Sequence, residues 1–214
     1  MIFEQIAIGG DRNFAYLVGD SEACAGFLVD PAYIPDELVE RAQELGLRIE
    51  AILNTHSHDD HIGGNSRAKE LTGAPVLCHE AGRARAGADR TVSDGEKLTV
   101  GGLAVTVLHT PGHTPDSICF LVADHLITGD TLFVGKVGGT DFEEGARREY
   151  ESLQRLLELP DETSVWPGHD YGVKKSSTIG YERTTNPFLQ RESFEDFVHL
   201  KKTWPEYKKK HGIK

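Results

Sequence analysis

Short apolar runs bounded by Gly, Pro and Asp dominate the hydropathy pattern, with a few amphipathic stretches between them. Runs of that length and bounding predict strands. The first are Ile2 to Ile8, Ala15 to Val18 and Gly26 to Asp30, separated by turns at Gly9-Gly10-Asp11 and Asp20-Ser21-Glu22. Over residues 35–45 the period changes: Leu38, Val39, Ala42 and Leu45 share a helical face, with Pro35 at the start and Gly46 at the stop. Ile49 to Leu53 restores the strand pattern and completes a strand–helix–strand crossover. Asn65 to Leu71 predicts a helix ending at Gly73, and Ala74 to Cys78 a strand. Residues 79–95, rich in Ala, Gly, Arg and Asp, read as a short helix and a mobile loop.

Two hairpins follow. Lys97 to Val100 and Ala104 to Leu108 flank Gly101-Gly102, and Ser117 to Val122 and His125 to Ile127 flank Ala123-Asp124, which puts His125 in an exposed turn. Residues 145–158 form an amphipathic helix with Tyr150, Leu153, Leu156 and Leu157 inward, closed by Pro160. Thr163 to Trp166 is the last core strand, and a helix through Ile179 and Arg183 breaks at Pro187. The pattern predicts an α/β fold in a single domain over residues 1–214, with a short helical tail from about 188 to 214. The tail lysines Lys201, Lys202, Lys208, Lys209, Lys210 and Lys214 read as a solvated helix face.

The 214 residues suffice for one sizeable core, and a formal net charge of −11 argues against nucleic acid as a main partner. No apolar run approaches bilayer-spanning length, so no membrane association is expected. Cys24, Cys78 and Cys119 are odd in number, lack CxxC spacing and sit in apolar segments, so buried free thiols are expected. Free thiols predict a reducing, cytoplasmic setting, and Met1 to Gln5 shows no signal-peptide pattern.

The chemistry concentrates in Thr55-His56-Ser57-His58-Asp59-Asp60-His61-Ile62-Gly63-Gly64, directly after Ala51-Ile52-Leu53. Histidines at i and i+2 on a loop at a strand end can converge on one ion, leaving Asp60 and His61 for a second. A packed core has no use for so many titratable groups, and burying them without metal would leave charges unpaired. Three further candidates each follow a predicted strand in a Gly- or Pro-marked turn: His113 in Thr110-Pro-Gly-His-Thr114, Asp130 in Thr128-Gly-Asp-Thr131 and His169 in Pro167-Gly-His-Asp170.

This set, HxHxDH followed by a distant His, Asp and His, resembles the metallo-β-lactamase superfamily of metal-dependent hydrolases. Within it, Thr128-Gly-Asp-Thr-Leu-Phe133, Leu159-Pro160 and Asn186-Pro-Phe-Leu189 are similar to the glyoxalase II (hydroxyacylglutathione hydrolase) branch. The resemblance implies an αββα sandwich, two mixed β-sheets flanked by helices, with metals at one edge. It also implies His56, His58 and His113 on one ion, Asp60, His61 and His169 on the other, and Asp130 bridging both. The implied reaction is thioester hydrolysis, a metal-bridging hydroxide attacking the acyl carbonyl, with Asp60 and Asp130 as the catalytic carboxylates. The substrate would be a small acyl-thiol, a glutathione thioester among the candidates, and the protein a monomer or homodimer. Two divalent ions are expected, zinc first with iron or manganese as alternatives, although an all-His/Asp ligand set suits all three alike and does not select among them.

Persulfide dioxygenases share these motifs but use one iron, held by the residues matching His56, His113 and Asp130. Gly139-Thr-Asp-Phe142 and Glu182 to Pro187 resemble that branch, whereas Ile62-Gly63-Gly64 and Asp130-Thr-Leu-Phe133 follow the hydrolases. A non-catalytic scaffold would be expected to have lost ligands, and none is lost. Where glyoxalase II carries glutathione-gripping Lys and Tyr, this chain has Gly138 to Asp141, with Lys136 nearby but out of register. Asp30, Asp59, Thr55 and Thr110 are candidates for orienting the ligands or for capping turns. His79 and His109 lie off the motif and read as structural or surface residues.

Overall fold

The computed structural model describes residues 1–213, so Lys214 lies outside the described residues. Six strands, β1 (Ile2–Gly9), β2 (Asn13–Asp20), β3 (Ala25–Val29), β4 (Arg48–Leu53), β5 (Val76–His79) and β6 (Arg90–Val92), form the first sheet in sequential order. Its β1–β3 pairings are antiparallel and its β3–β6 pairings parallel. The second sheet has the order β14-β13-β10-β9-β8-β7. It comprises β7 (Lys97–Val100), β8 (Leu103–His109), β9 (Ile118–Val122), β10 (His125–Gly129), β13 (Ser164–Pro167) and β14 (Ser177–Thr178). Here only β10 and β13 run parallel. A two-stranded ribbon, β11 (Leu132–Phe133) and β12 (Lys136–Val137), follows β10.

Side-chain alternation along the strands divides the protein into layers. Phe14, Tyr16 and Val18 of β2 face Val107, Phe120 and Ile127 of the other sheet, filling the space between them. Ala15 and Leu17, pointing the opposite way, pack under α1 (Pro35–Glu44) and α3 (Asn65–Thr72), with Leu38, Val39, Ala42 and Ala68. Cys119, Leu126 and Val165 do the same for α5 (Glu144–Leu156) and α7 (Phe194–Lys202), through Leu153, Leu156, Phe197 and Leu200. The expected αββα sandwich is observed. Short helices α2 (Asp59–Ile62), α4 (Arg83–Ala86) and α6 (Ile179–Thr185) occupy connections, and α8 (Trp204–His211) follows α7. No described helix is long and apolar enough to cross a membrane.

Several expectations are corrected. The stretch 79–95 contains not only α4 but strand β6, parallel to β5; three residues with one buried side chain, Val92, are too few to show a period. His125 is half-buried rather than exposed: its Nδ1 accepts from Trp166 Nε1 at 3.0 Å and its ring stacks on Phe3 at 4.4 Å. The tail lysines are not one solvated face either, because the Lys201 side chain is only 6% exposed. Cys24 is exposed; the Ala23-Cys24 pair that looks apolar closes a turn just before β3, with Cys24 at φ 52°. Cys78 and Cys119 are buried as expected, and burial pushes both thiols up to about 11. A disulfide-exchange reagent should therefore label Cys24 alone in the native protein and all three cysteines after unfolding. Mass spectrometry of the labelled peptides checks both counts.

Candidate metal centre

The connections after β4, β8, β10 and β13 meet at one edge of the sandwich. Backbone hydrogen bonds stitch them together: Ile118 N–H to Thr55 O at 2.8 Å, Gly168 N–H to Gly129 O at 2.7 Å and Phe14 N–H to Gly168 O at 2.8 Å. Gly168 is required there, since a Cβ would lie 2.5 Å from Asp130 Oδ1 and 3.0 Å from His61 Cε1.

All seven candidate ligands arrive at this edge. His58 Nδ1 lies 3.0 Å from His56 Nε2 and 3.1 Å from His113 Nε2. His169 Nε2 lies 3.2 Å from His61 Nε2 and 3.5 Å from Asp60 Oδ2. Between the triads sits Asp130, with Oδ2 3.5 Å from His113 Nε2 and Oδ1 3.3 Å from His169 Nε2. Each triad, and His56 with His61 and Asp130, could hold a metal ion, the donor atoms of each group lying within 4.8 Å of one another. Asp130 Oδ1 is buried with no hydrogen-bond partner. A buried acceptor without a donor, ringed by imidazole nitrogens, is what a cation satisfies, so the residues fit a metal.

Residues 8–169 match the family described as the metallo-beta-lactamase superfamily. This chain belongs to that superfamily. It is 36% identical over 196 residues to the human mitochondrial persulfide dioxygenase ETHE1, covering 88% of this chain and 75% of that one. It is 38% identical over 170 residues to the hydroxyacylglutathione hydrolase of Rhodospirillum rubrum, covering 78% of this chain and 65% of the relative. The crystal structure of ETHE1 from Myxococcus xanthus superposes with a TM-score of 0.89 at 38% identity, covering 95% and 91% of the two chains.

What a metallo-beta-lactamase superfamily site needs beyond its donors is imidazoles held in one tautomer. Asp30 supplies much of this. Its Oδ1 accepts from Thr55 N–H at 2.9 Å, and its Oδ2 accepts from Thr55 Oγ1 at 2.6 Å and from His61 Nδ1 at 2.9 Å. The Thr55 hydroxyl proton is thereby committed to Asp30, so at 3.1 Å its oxygen accepts from His56 Nδ1. His113 Nδ1 donates to Gly139 O at 2.8 Å and His169 Nδ1 to Asp11 O at 2.9 Å. These contacts leave Nε2 of His56, His61, His113 and His169 facing the cluster. Asp30 holds its position at φ 52°, a conformation costly for a non-glycine residue.

Of the other candidates, Asp59 turns outward to Arg85 at 3.1 Å, and Thr110 bonds Thr131 at 2.9 Å rather than an imidazole. His79 and His109 stack on each other at 4.0 Å, away from the ligands. Asn13 was not singled out in the sequence, yet its Nδ2 donates to Asp60 Oδ2 at 3.0 Å. Only its place beside a Gly-Gly turn marked it.

The environment divides by charge. Burial, then neighbouring His61, holds the His56 pKa well below the usual imidazole value. Burial and His113 lower His58 likewise, keeping both available as neutral donors. Burial also disfavours charge on His61, but Asp30, Asp130 and Asp60 outweigh it and raise its pKa to about 9. Asp130 falls well below the carboxylate range despite its burial, because His169, His61 and His56 surround it. Beside the cluster lies a cavity of about 340 Å³ lined by Phe133, Lys136, Phe142, Tyr171, Phe188 and Trp204 among others. The Tyr171 ring stacks on His169 at 4.7 Å, with Lys136 Nζ 4.4 Å from its centroid. Because Asp30 contacts both halves of the cluster, Asp30→Ala should weaken zinc binding by roughly tenfold to hundredfold. Chelator competition with zinc measures the change.

Proposed function

We propose that this chain is a metal-dependent thioester hydrolase holding two ions, one on His56, His58 and His113 and one on Asp60, His61 and His169, with Asp130 shared. The observation that carries the reading is the division of the Asp130 carboxylate, one oxygen toward each complete triad. Bound ions there would supply an activated water and polarise the acyl carbonyl. The chain's own residues orient the imidazoles, burial keeps His56 and His58 neutral, and Asp60 is held for its ion by the Asn13 amide. A thiolate leaves without general-acid help, so Lys136, Lys201 and Tyr171, which line the cavity, need supply no proton to it. The reaction consumes water and the thioester and releases a carboxylate, a thiol and, at neutral pH, a proton.

Glutathione need not be the thiol half. Gly139 O is committed to His113, and the Asp141 carboxylate accepts from the N–H groups of Glu143 and Gly145 at 2.8 and 2.9 Å, at the start of α5. Lys136, out of register in the sequence, nevertheless lines the cavity. One such cation contact with a substrate carboxylate is worth about 1.5–3 kcal/mol. The kcat/KM for a glutathione thioester should therefore exceed that for the same acyl group on a simpler uncharged thiol by no more than about a hundredfold. A preference beyond a thousandfold would place the grip elsewhere.

Persulfide dioxygenation is the second reading, favoured by the 36% identity to human ETHE1 and the 0.89 TM-score of its Myxococcus xanthus namesake. His58 Nδ1, turned into the cluster, favours the hydrolase. Elemental analysis should find two ions per chain, with Asp130→Ala reducing occupancy of both sites. One tightly held iron, with oxygen consumed on adding glutathione persulfide and no thioester hydrolysis, would overturn the hydrolase reading.

A further inference from the structure

Glu149 on α5 and Lys201 on α7 form an ion pair behind the segment that carries His113, their side chains 1% and 6% exposed, with Lys201 also lining the cavity beside the cluster. A buried ion pair is poor glue, since apolar residues of the same volume hold two helices as well. What an apolar pair cannot do is donate a hydrogen bond, and Lys201 donates one to Gly138 O at 2.8 Å. The next carbonyl along, Gly139 O, accepts from His113 Nδ1 at 2.8 Å. The residue before the same histidine also packs on Glu149. Gly112, at φ 151°, packs directly against the Glu149 backbone and Cβ, where a side chain of its own would overlap. Glu149 Oε1 has no hydrogen-bond partner and faces Gly138. The pair is thus wedged between the segment that carries His113 and the segment that receives its ring proton.

We infer that Lys201 and Glu149 are positioning residues for His113, through which the C-terminal helix sets the orientation of one ligand in the His56–His58–His113 triad. The inference rests on the reading of His113 as a metal ligand. It gives the tail a role at the site that needs no contact with substrate. Lys201 anchors the Gly138 peptide, the Gly139 carbonyl stays fixed, and His113 keeps its proton on Nδ1 with Nε2 turned to the triad.

The test pairs Glu149→Met/Lys201→Met, which leaves neither charge alone, with Glu149→Gln, which keeps the Lys201 donor. Zinc affinity by chelator competition should fall about tenfold or more in the double variant. In Glu149→Gln it should stay within about threefold of wild type. In metal-free protein the His113 ring N–H, followed by nitrogen-15 NMR, should exchange with solvent faster in the double variant only. Unchanged zinc affinity and ring N–H exchange in a folded double variant would overturn the inference. So would equal losses in both variants, which mark simple destabilisation. Should the double methionine variant fail to fold, Glu149→Gln/Lys201→Met, closer in shape, takes its place. If wild type binds no zinc, the metal reading fails, while the ring N–H comparison still decides whether Lys201 and Glu149 hold His113.

Discussion

Two buried carboxylates, Asp30 and Asp130, and the partly exposed Asp60 share one edge of the sandwich with five imidazoles. Such a concentration of ionisable groups in a low-dielectric setting is unstable unless a cation or bound protons balance it. Protons achieve the balance only in part. They favour His61 and His169, which the carboxylates surround, and disfavour His56 and His58. The rest of the architecture supports this cost. Apolar layers on both faces of both sheets hold the strand ends rigidly, and glycines at 129 and 168 let them approach where a side chain would collide.

The candidate ligands were legible in the sequence because four of the seven are packed into His56–His61 and the other three sit in Gly-marked turns after strands. The supporting residues were less so. Asp30 stood as either an orienting carboxylate or a turn former, and the structure makes it both, at a positive φ. Asn13 and Lys201 meet the site across 47 and 63 residues of chain, a juxtaposition that no local pattern encodes. Strands such as β2, buried on both faces, read as continuous apolar runs and were easy to find. The two-residue strands β11 and β12 were too short to carry a period. Cys24 and His125 failed for a related reason, since hydropathy registers a residue's neighbours in sequence but not whether the chain turns there or an aromatic side chain covers it.

Charge is distributed against the average. The chain carries a formal net charge of −11, yet Arg12 and Lys136 lie over the Tyr171 ring beside the cavity, and burial, then nearby Lys208, disfavours the charge on Lys136. An acidic protein with a local cationic rim can attract an anionic substrate to one place while repelling it elsewhere.

The same protein shell would serve either reading of the chemistry, because what it controls is the tautomer and spacing of the donors. Asp130 connects the two triads from inside, and Asp30 connects them from outside through Thr55–His56 on one side and His61 on the other. Were both triads to hold ions, sharing a carboxylate in each of two layers would keep them from filling independently. An ion on one triad would fix Asp130 and Asp30 in the arrangement the other needs, and by linkage any gain it brought to a second ion would be returned by the same factor. Like-charge repulsion between the ions opposes that gain, and the shared carboxylate charge offsets it. Whether one ion or two is held then depends on the balance of these terms. A third contact on His113, supplied through Gly139 from the C-terminal helix, bears on one triad alone and shifts that balance without touching the other.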